Sequence, residues 1–394
     1  MEEKTFYLDH ASTTPIAADV YKKMLECFSK FQGNNSSIYK MGREAEAELQ
    51  EAREKVAKAI GAEPNEIYFT SGGTEANNWA IKGIARANKD KGNHIITSQV
   101  EHPSVLESCR ELEEEGFKVT YVPVDEYGGV DYASIIKAIG PNTILISIMT
   151  ANNEVGSLQP IRAIAELAKQ NNVYFHTDAV QAIGAIGINV KEIGVDLLSL
   201  SAHKFYGPKG VGALYIKKGT KISKFISGEA QENNMRAGTV NVPACAGLGV
   251  AIENATSNLE ESVKDVRVLR KYFQKKISES IHNIALNGHP TQRLANNCSI
   301  VFEGAESEAV VMMLDKEGIY ASVGSISEVG SNAPSHVLLA MGKSLEEIRS
   351  TVRFSLGSDI TKEEIDDVVE TIRKVVKKVR SMSAIRIYKN KVEL

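Results

Sequence analysis

The chain is poor in the features that mark special compartments or partners. Among its 394 residues there are four cysteines, Cys27, Cys109, Cys245 and Cys298. They are scattered, with no CxxC pair, so neither a zinc site nor a disulfide framework is indicated. No window approaches an uninterrupted apolar run of ~18 residues, and no transmembrane helix is expected. The N-terminal MEEKTFYLDH is acidic and lacks the apolar segment of a secretory signal, which favours a cytoplasmic protein. There is no basic excess: the formal net charge is -4. Nucleic acid and membrane surfaces are therefore not indicated as partners. Internal repeats and low-complexity segments are absent too. What remains is ordinary: 43% hydrophobic and 24% charged residues, in a chain long enough for two or more cores.

Short apolar runs alternate with helical periodicity over the first two thirds. Strands are expected at 94–99, 118–124, 143–149, 173–180, 195–201 and 211–217, with helices at 16–30, 43–61, 103–116, 131–139 and 160–170. EIYFTSGGTEANNWAIKGIARA reads as strand, glycine turn, helix. Such alternation predicts an α/β fold with a mainly parallel sheet. One long helix is expected from near Val242 past Glu260 to about Ile281. Beyond it, NCSIVFEG, IYASVG and TVRFSLG alternate with helices near 306–317, 335–342 and 362–381, which suggests a smaller α+β domain with its boundary near 260.

Ligands of open α/β sheets sit beyond the carboxyl ends of the strands, and the chemically unusual residues lie there. Lys204 follows the buried-looking run VDLLSLS. Burial lowers an amine's pKa, and a partly neutral lysine can form a Schiff base with a carbonyl. Lys204 could equally be a surface lysine just past a strand. Ser71-Gly72-Gly73-Thr74-Glu75 joins a strand to a helix and could cradle a phosphate at the helix N-terminus, or Thr74 could simply cap it. Its glycines match neither the dinucleotide nor the P-loop spacing. Asp178 ends VYFHTD and could face a cationic ring nitrogen, while His102 in VEHPSV could stack on a ring and move protons. Arg353 sits inside the apolar run TVRFSLG, where it suits either a substrate carboxylate or an internal salt bridge. Arg236 and Thr239 lie in a polar loop, NNMRAGTVNV, able to reach a phosphate. Together these are the parts needed to hold pyridoxal phosphate against an amino acid.

The blocks YLDHASTTP, GNNSS, FTSGGTEANN, EHPSV, ANNEVG, HTDAVQAIG, SAHKFYGPKGVG, NMRAGTVNV, PSHVLLAMG and RFSLG occur in that order. In this the chain resembles the cysteine desulfurases of the class V aminotransferases, which are fold-type I pyridoxal 5'-phosphate enzymes. The resemblance implies a large domain, residues 15–260, built on a mainly parallel seven-stranded sheet. It also implies a small α+β domain from residues 1–14 and 261–394. Lys204 would hold the cofactor as a Schiff base. Asp178 would pair with the ring nitrogen, and His102 would stack on the ring. Asn153 and Gln181 would bond the ring oxygen. Gly73, Thr74, Ser201 and His203 would bind the phosphate, with Thr239 from the partner subunit of a homodimer. Arg353, with Asn34, would hold the substrate carboxylate, and an iron–sulfur scaffold or sulfurtransferase would be a partner.

Two departures stand out. Desulfurases of this type carry a nucleophilic cysteine in a loop before PSHVL, and here that position is Ser327, flanked by Ile326 and Glu328. A serine hydroxyl is rarely an anion near neutral pH and cannot store sulfur as a persulfide. Ser358 also stands where an arginine is common. The expected activity is an atypical desulfurase acting on L-cysteine or an analogue. The alternatives are a lyase or aminotransferase acting on another amino acid, or a catalytically impaired partner in a sulfur-transfer system.

Overall fold

The computed structural model describes residues 5–30, 33–324 and 333–382. Its strands are β1 (Phe6–Tyr7), β2 (Ile67–Thr70), β3 (His94–Ser98), β4 (Lys118–Val122), β5 (Thr143–Ser147), β6 (Tyr174–Asp178), β7 (Leu197–Ser201), β8 (Gly212–Ile216), β9 (Ile284–Asn287), β10 (Asn297–Phe302), β11 (Ile319–Tyr320), β12 (Ser322–Val323) and β13 (Thr351–Ser355). Seven of them form one sheet in the order β2-β8-β7-β6-β5-β3-β4. Only β8 runs antiparallel to its neighbours. Of the strands paired in parallel, β5 (TILIS) and β7 (LLSLS) are buried at every position, as strands covered on both faces require, while the edge strand β4 (KVTYV) buries only Val122.

Helices cover both faces. On one side α1 (Ala18–Lys30) and α2 (Lys40–Ile60) pack with the helices Ile161–Gln170 and Val242–Ser257. On the other lie α3 (Gly73–Ala87) and α4 (Pro103–Glu114), whose Trp79, Ile81 and Leu112 are fully buried. Each such side chain contributes roughly 1.5–3 kcal/mol. The expected long helix is two helices, Val242–Ser257 and Leu259–Ser280. Asn258, at φ -124° and ψ 36°, breaks it. Uninterrupted periodicity on both sides hid that break from the sequence.

A second apolar core, around Phe273, Phe302 and Phe354, belongs to a four-stranded sheet, β12-β13-β10-β9. The N-terminal residues run through this part of the chain. β1 pairs with β11, and Leu8 accepts from the Ser355 N–H at 2.7 Å. Thr14 then donates its N–H to the His203 carbonyl at 2.9 Å. Residues 5–14 thus join the second core to the loop that follows β7.

Candidate active site

The carboxyl ends of β2, β3, β5, β6 and β7 open into a cavity of about 330 Å3. Gly73, Thr74, His102, Asn153, Asp178, Gln181, Ser201, His203, Lys204 and Arg353 all line it. Thr239 and Asn34 do not; both are exposed, and the Asn34 Oδ1 accepts from Ser36. Ser327 lies outside the described residues.

β7 ends at Ser201, and one turn of 3-10 helix, Ala202–Lys204, carries the lysine inward. Its Nζ donates to the Ala11 carbonyl at 2.7 Å and the Ser12 carbonyl at 2.6 Å. Burial, reinforced by the Arg353 charge, lowers its pKa to about 8. Near neutrality a useful fraction of the amine is uncharged, the form able to attack a carbonyl.

Asp178 is buried at the end of β6. Its Oδ2 accepts from Asn77 Nδ2 at 2.7 Å and its Oδ1 from the Val180 N–H at 2.9 Å. Asn77 also donates to Ser104 Oγ at 2.9 Å. His102 is the N-cap of α4, and its Nδ1 accepts from the Ser104 N–H. Nδ1 is then unprotonated, and the ring proton of the neutral form sits on Nε2. Burial, reinforced by Lys204, holds the His102 pKa below its usual value. The His203 pKa is pushed down to about 4, chiefly by burial.

The phosphate cradle begins at α3. Gly72 has φ 150°, a conformation side chains rarely adopt, and a Cβ on Gly73 would stand 2.5 Å from Val180 Cγ2. The first-turn N–H groups of α3 are thereby left open to an anion. Arg353 comes from β13. Its guanidinium donates to Asp9 at 2.9 Å, Ser12 Oγ at 2.6 Å and the Asn153 carbonyl at 3.1 Å, while its Nε has no partner among the described residues. It is therefore in an internal salt bridge and on the cavity wall at once.

No role for Asn77, Ser104, Asp9, Ser12 or Glu101 follows from the sequence alone. Glu101, next to His102 in the chain, is completely buried. It accepts from Ser98 Oγ at 2.7 Å and from the Met149 N–H at 3.0 Å. Burial raises its pKa to about 8. A carboxylate directly after the apolar run HIITSQV was the signal available for it.

The residues fit pyridoxal 5'-phosphate: an amine of lowered pKa, a buried carboxylate for a ring nitrogen, a neutral imidazole, and an anion cradle closed to any Cβ. Fold and site together define a fold-type I pyridoxal-phosphate enzyme. The family Aminotransferase class-V matches residues 6–368, and the chain belongs to that family. It is 53% identical to "Cysteine desulfurase IscS" of Methanosarcina thermophila, over 97% of this chain and 94% of that one. The same-named protein of Dictyoglomus turgidum is 49% identical, over 97% of both chains. Among solved structures, a "NIFS-LIKE PROTEIN" superposes with TM-score 0.90 at 37% identity, covering 95% of this chain and 100% of that one. "SspA in complex with cysteine" gives TM-score 0.80 at 38% identity, covering 90% and 99%.

Proposed function

We propose that the protein is a cysteine desulfurase that takes sulfur from L-cysteine for iron–sulfur cluster assembly or a related sulfur-transfer route. In this reading Ser327 stands at the usual cysteine position, so the thiol acceptor comes from elsewhere. The observation that carries the reading is the convergence of Lys204, Asp178, His102 and Arg353 on one cavity. The relatives' names and the cysteine named with SspA point to the substrate.

When bound, pyridoxal phosphate supplies the electron sink for charge developing on the substrate carbon. Lys204 Nζ would hold it, and the same amine is placed to move the proton of the substrate α-carbon. Asp178, oriented by Asn77, keeps the ring nitrogen protonated. Neutral His102 would stack on the ring and present Nε2–H. Arg353 binds the substrate carboxylate. Gly73, Thr74, Ser201 and His203 would bind the phosphate, and Asn153 and Gln181 the ring oxygen.

The homodimer belongs to the same proposal. Tyr21, Leu25 and Phe28 form an exposed stripe on α1, with Phe28 62% exposed, and nearby Ile38 is 90% exposed. An apolar surface of this kind favours a protein partner. Thr239 and Asn34, outside the cavity of their own chain, are then free to serve the partner's site. The large domain is residues 15–260, and the small one joins 1–14 to 261–394.

The test is the yield of alanine and sulfide from L-cysteine, with and without dithiothreitol, alongside the cofactor absorbance. Equal amounts of both products, dependent on the thiol, are expected. Pyruvate in place of alanine would replace this reading with β-elimination, which needs Lys204 but no enzyme cysteine. A cofactor band that cysteine does not shift would sink both readings.

A further inference from the structure

Arg353 reaches the cavity wall with most of its donors already engaged. A guanidinium carries five N–H groups. Nη2 donates to Asp9 Oδ1 at 2.9 Å and to Ser12 Oγ at 2.6 Å. Nη1 donates to the Asn153 carbonyl at 3.1 Å. Nε is buried and has no partner among the described residues, and a ligand in the cavity does not reach it. One N–H, on Nη1, is left over. A carboxylate has two oxygens, and the two-pronged pairing that arginine ordinarily offers is closed here on both of its edges. Asp9 also offsets the arginine's charge from behind: it pairs with Arg353 but does not line the cavity. Hydrogen bonds therefore carry more of the affinity for a carboxylate, and a second donor has to come from the wall beside Arg353.

Ser12 is placed to supply it. The residue is half-buried and lines the same cavity as Arg353 and Lys204. Its Oγ accepts from Arg353, and among the described residues its own O–H donates to no protein group. A hydroxyl that accepts from a cation is polarised and donates more strongly. The backbone around it is fixed. The Ser12 N–H donates to the Asp9 carbonyl at 3.0 Å, and the Ser12 carbonyl accepts from Lys204 Nζ at 2.6 Å. Ser12 thus touches the amine of Lys204 with its carbonyl and the guanidinium of Arg353 with its hydroxyl. An α-amino acid, whose amine and carboxylate are held by one carbon, would present its carboxylate beside that hydroxyl when its amine is at Lys204.

We propose that Ser12 is a substrate-binding residue, whose O–H and the remaining Nη1–H of Arg353 together clamp the two oxygens of the substrate carboxylate. The proposal rests on the desulfurase reading only for the substrate being an amino acid. It deepens that reading by naming the second group that holds it.

The experiment titrates the holoenzyme with L-alanine, which needs no turnover, and follows the cofactor absorbance. Ser12→Ala should raise the half-saturating concentration about tenfold. Ser12→Thr, which keeps the hydroxyl, should restore most of that loss. For 2-aminoethanethiol, which has the amine and thiol of cysteine but no carboxylate, Ser12→Ala and the wild type should agree. A Ser12→Ala protein that binds L-alanine as tightly as the wild type, or that loses 2-aminoethanethiol equally, would overturn the proposal. Saturation-transfer NMR of propionate with the apoprotein separates the two readings, because it requires neither cofactor nor amine. A signal present in the wild type and lost in Ser12→Ala supports the clamp even if no amino acid ever shifts the cofactor band, a result that would sink the amino-acid reading alone. A signal that Ser12→Ala keeps, or that the wild type lacks, overturns the clamp.

Discussion

Lys204 and Glu101 show how burial sets charge in this protein, in opposite directions. The lysine is pushed down to about 8 and the glutamic acid up to about 8. Uptake of pyridoxal phosphate by the apoprotein depends on neutral Lys204. Its rate, followed by absorbance, should therefore rise about tenfold between pH 7 and pH 9. Glu101 works on stability. Its folded pKa lies above its unfolded value near 4.5, so the folded state holds a proton that the unfolded state has released. That contribution is complete below about pH 4.5 and is lost as pH rises to about 8. Glu101→Gln is neutral throughout. In thermal melts the variant should gain on the wild type steadily across that window; a pH-independent difference would count against a protonated Glu101. Asp178 acts through a charge-assisted contact. Its replacement by Asn should weaken cofactor binding by about 2 kcal/mol, or ~30-fold, in a fluorescence titration.

At the scale of elements, the turn between β2 and α3 is the most constrained piece of the site. Gly73→Ala drives a methyl group into Val180, and overpacking of this kind costs about 1–3 kcal/mol. A lowered melting temperature of the apoprotein, together with a weakened affinity for pyridoxal phosphate, is the expected outcome. The central strands and their carboxyl ends were legible in the sequence because buried strands such as β5 and β7 leave short, mainly apolar runs. The residues just beyond them (Thr74, His102, Asp178, Lys204) were therefore legible as a set. What was not legible depends on distant pairing. Nothing local in YLDHASTTP says that Asp9 and Ser12 will hold Arg353, more than 300 residues away. Asn77 lies in a helix-forming stretch, and its hold on Asp178 exists only once β6 is placed beside α3. The break at Asn258 was hidden by good helix formers on both sides.

Across the whole molecule, one buried ion pair ties a surface segment to the large sheet. Arg53, from α2, meets Glu232 in two hydrogen bonds, at 2.9 Å and 2.7 Å, and Glu232 also accepts from the Phe69 N–H in β2. Both side chains are almost fully buried. Arg53→Ala would leave Glu232 uncompensated and should cost about 3–5 kcal/mol, readable as a lowered denaturant midpoint. The segment that Glu232 anchors runs on to Thr239, so the same variant tests whether the loop reaches a partner. In light scattering the wild type should have twice the chain mass of 42.9 kDa.

The stitching of residues 5–14 sets an order of events in the cell. β1 is synthesised well before its partners: β11 and Ser355 emerge about 310 and 350 residues later, roughly 15–70 s at ~5–20 residues per second. Through that interval Arg353, which lines the cavity, does not yet exist. A nascent protein stalled short of β13 would have Lys204 and the phosphate cradle but no arginine on the cavity wall.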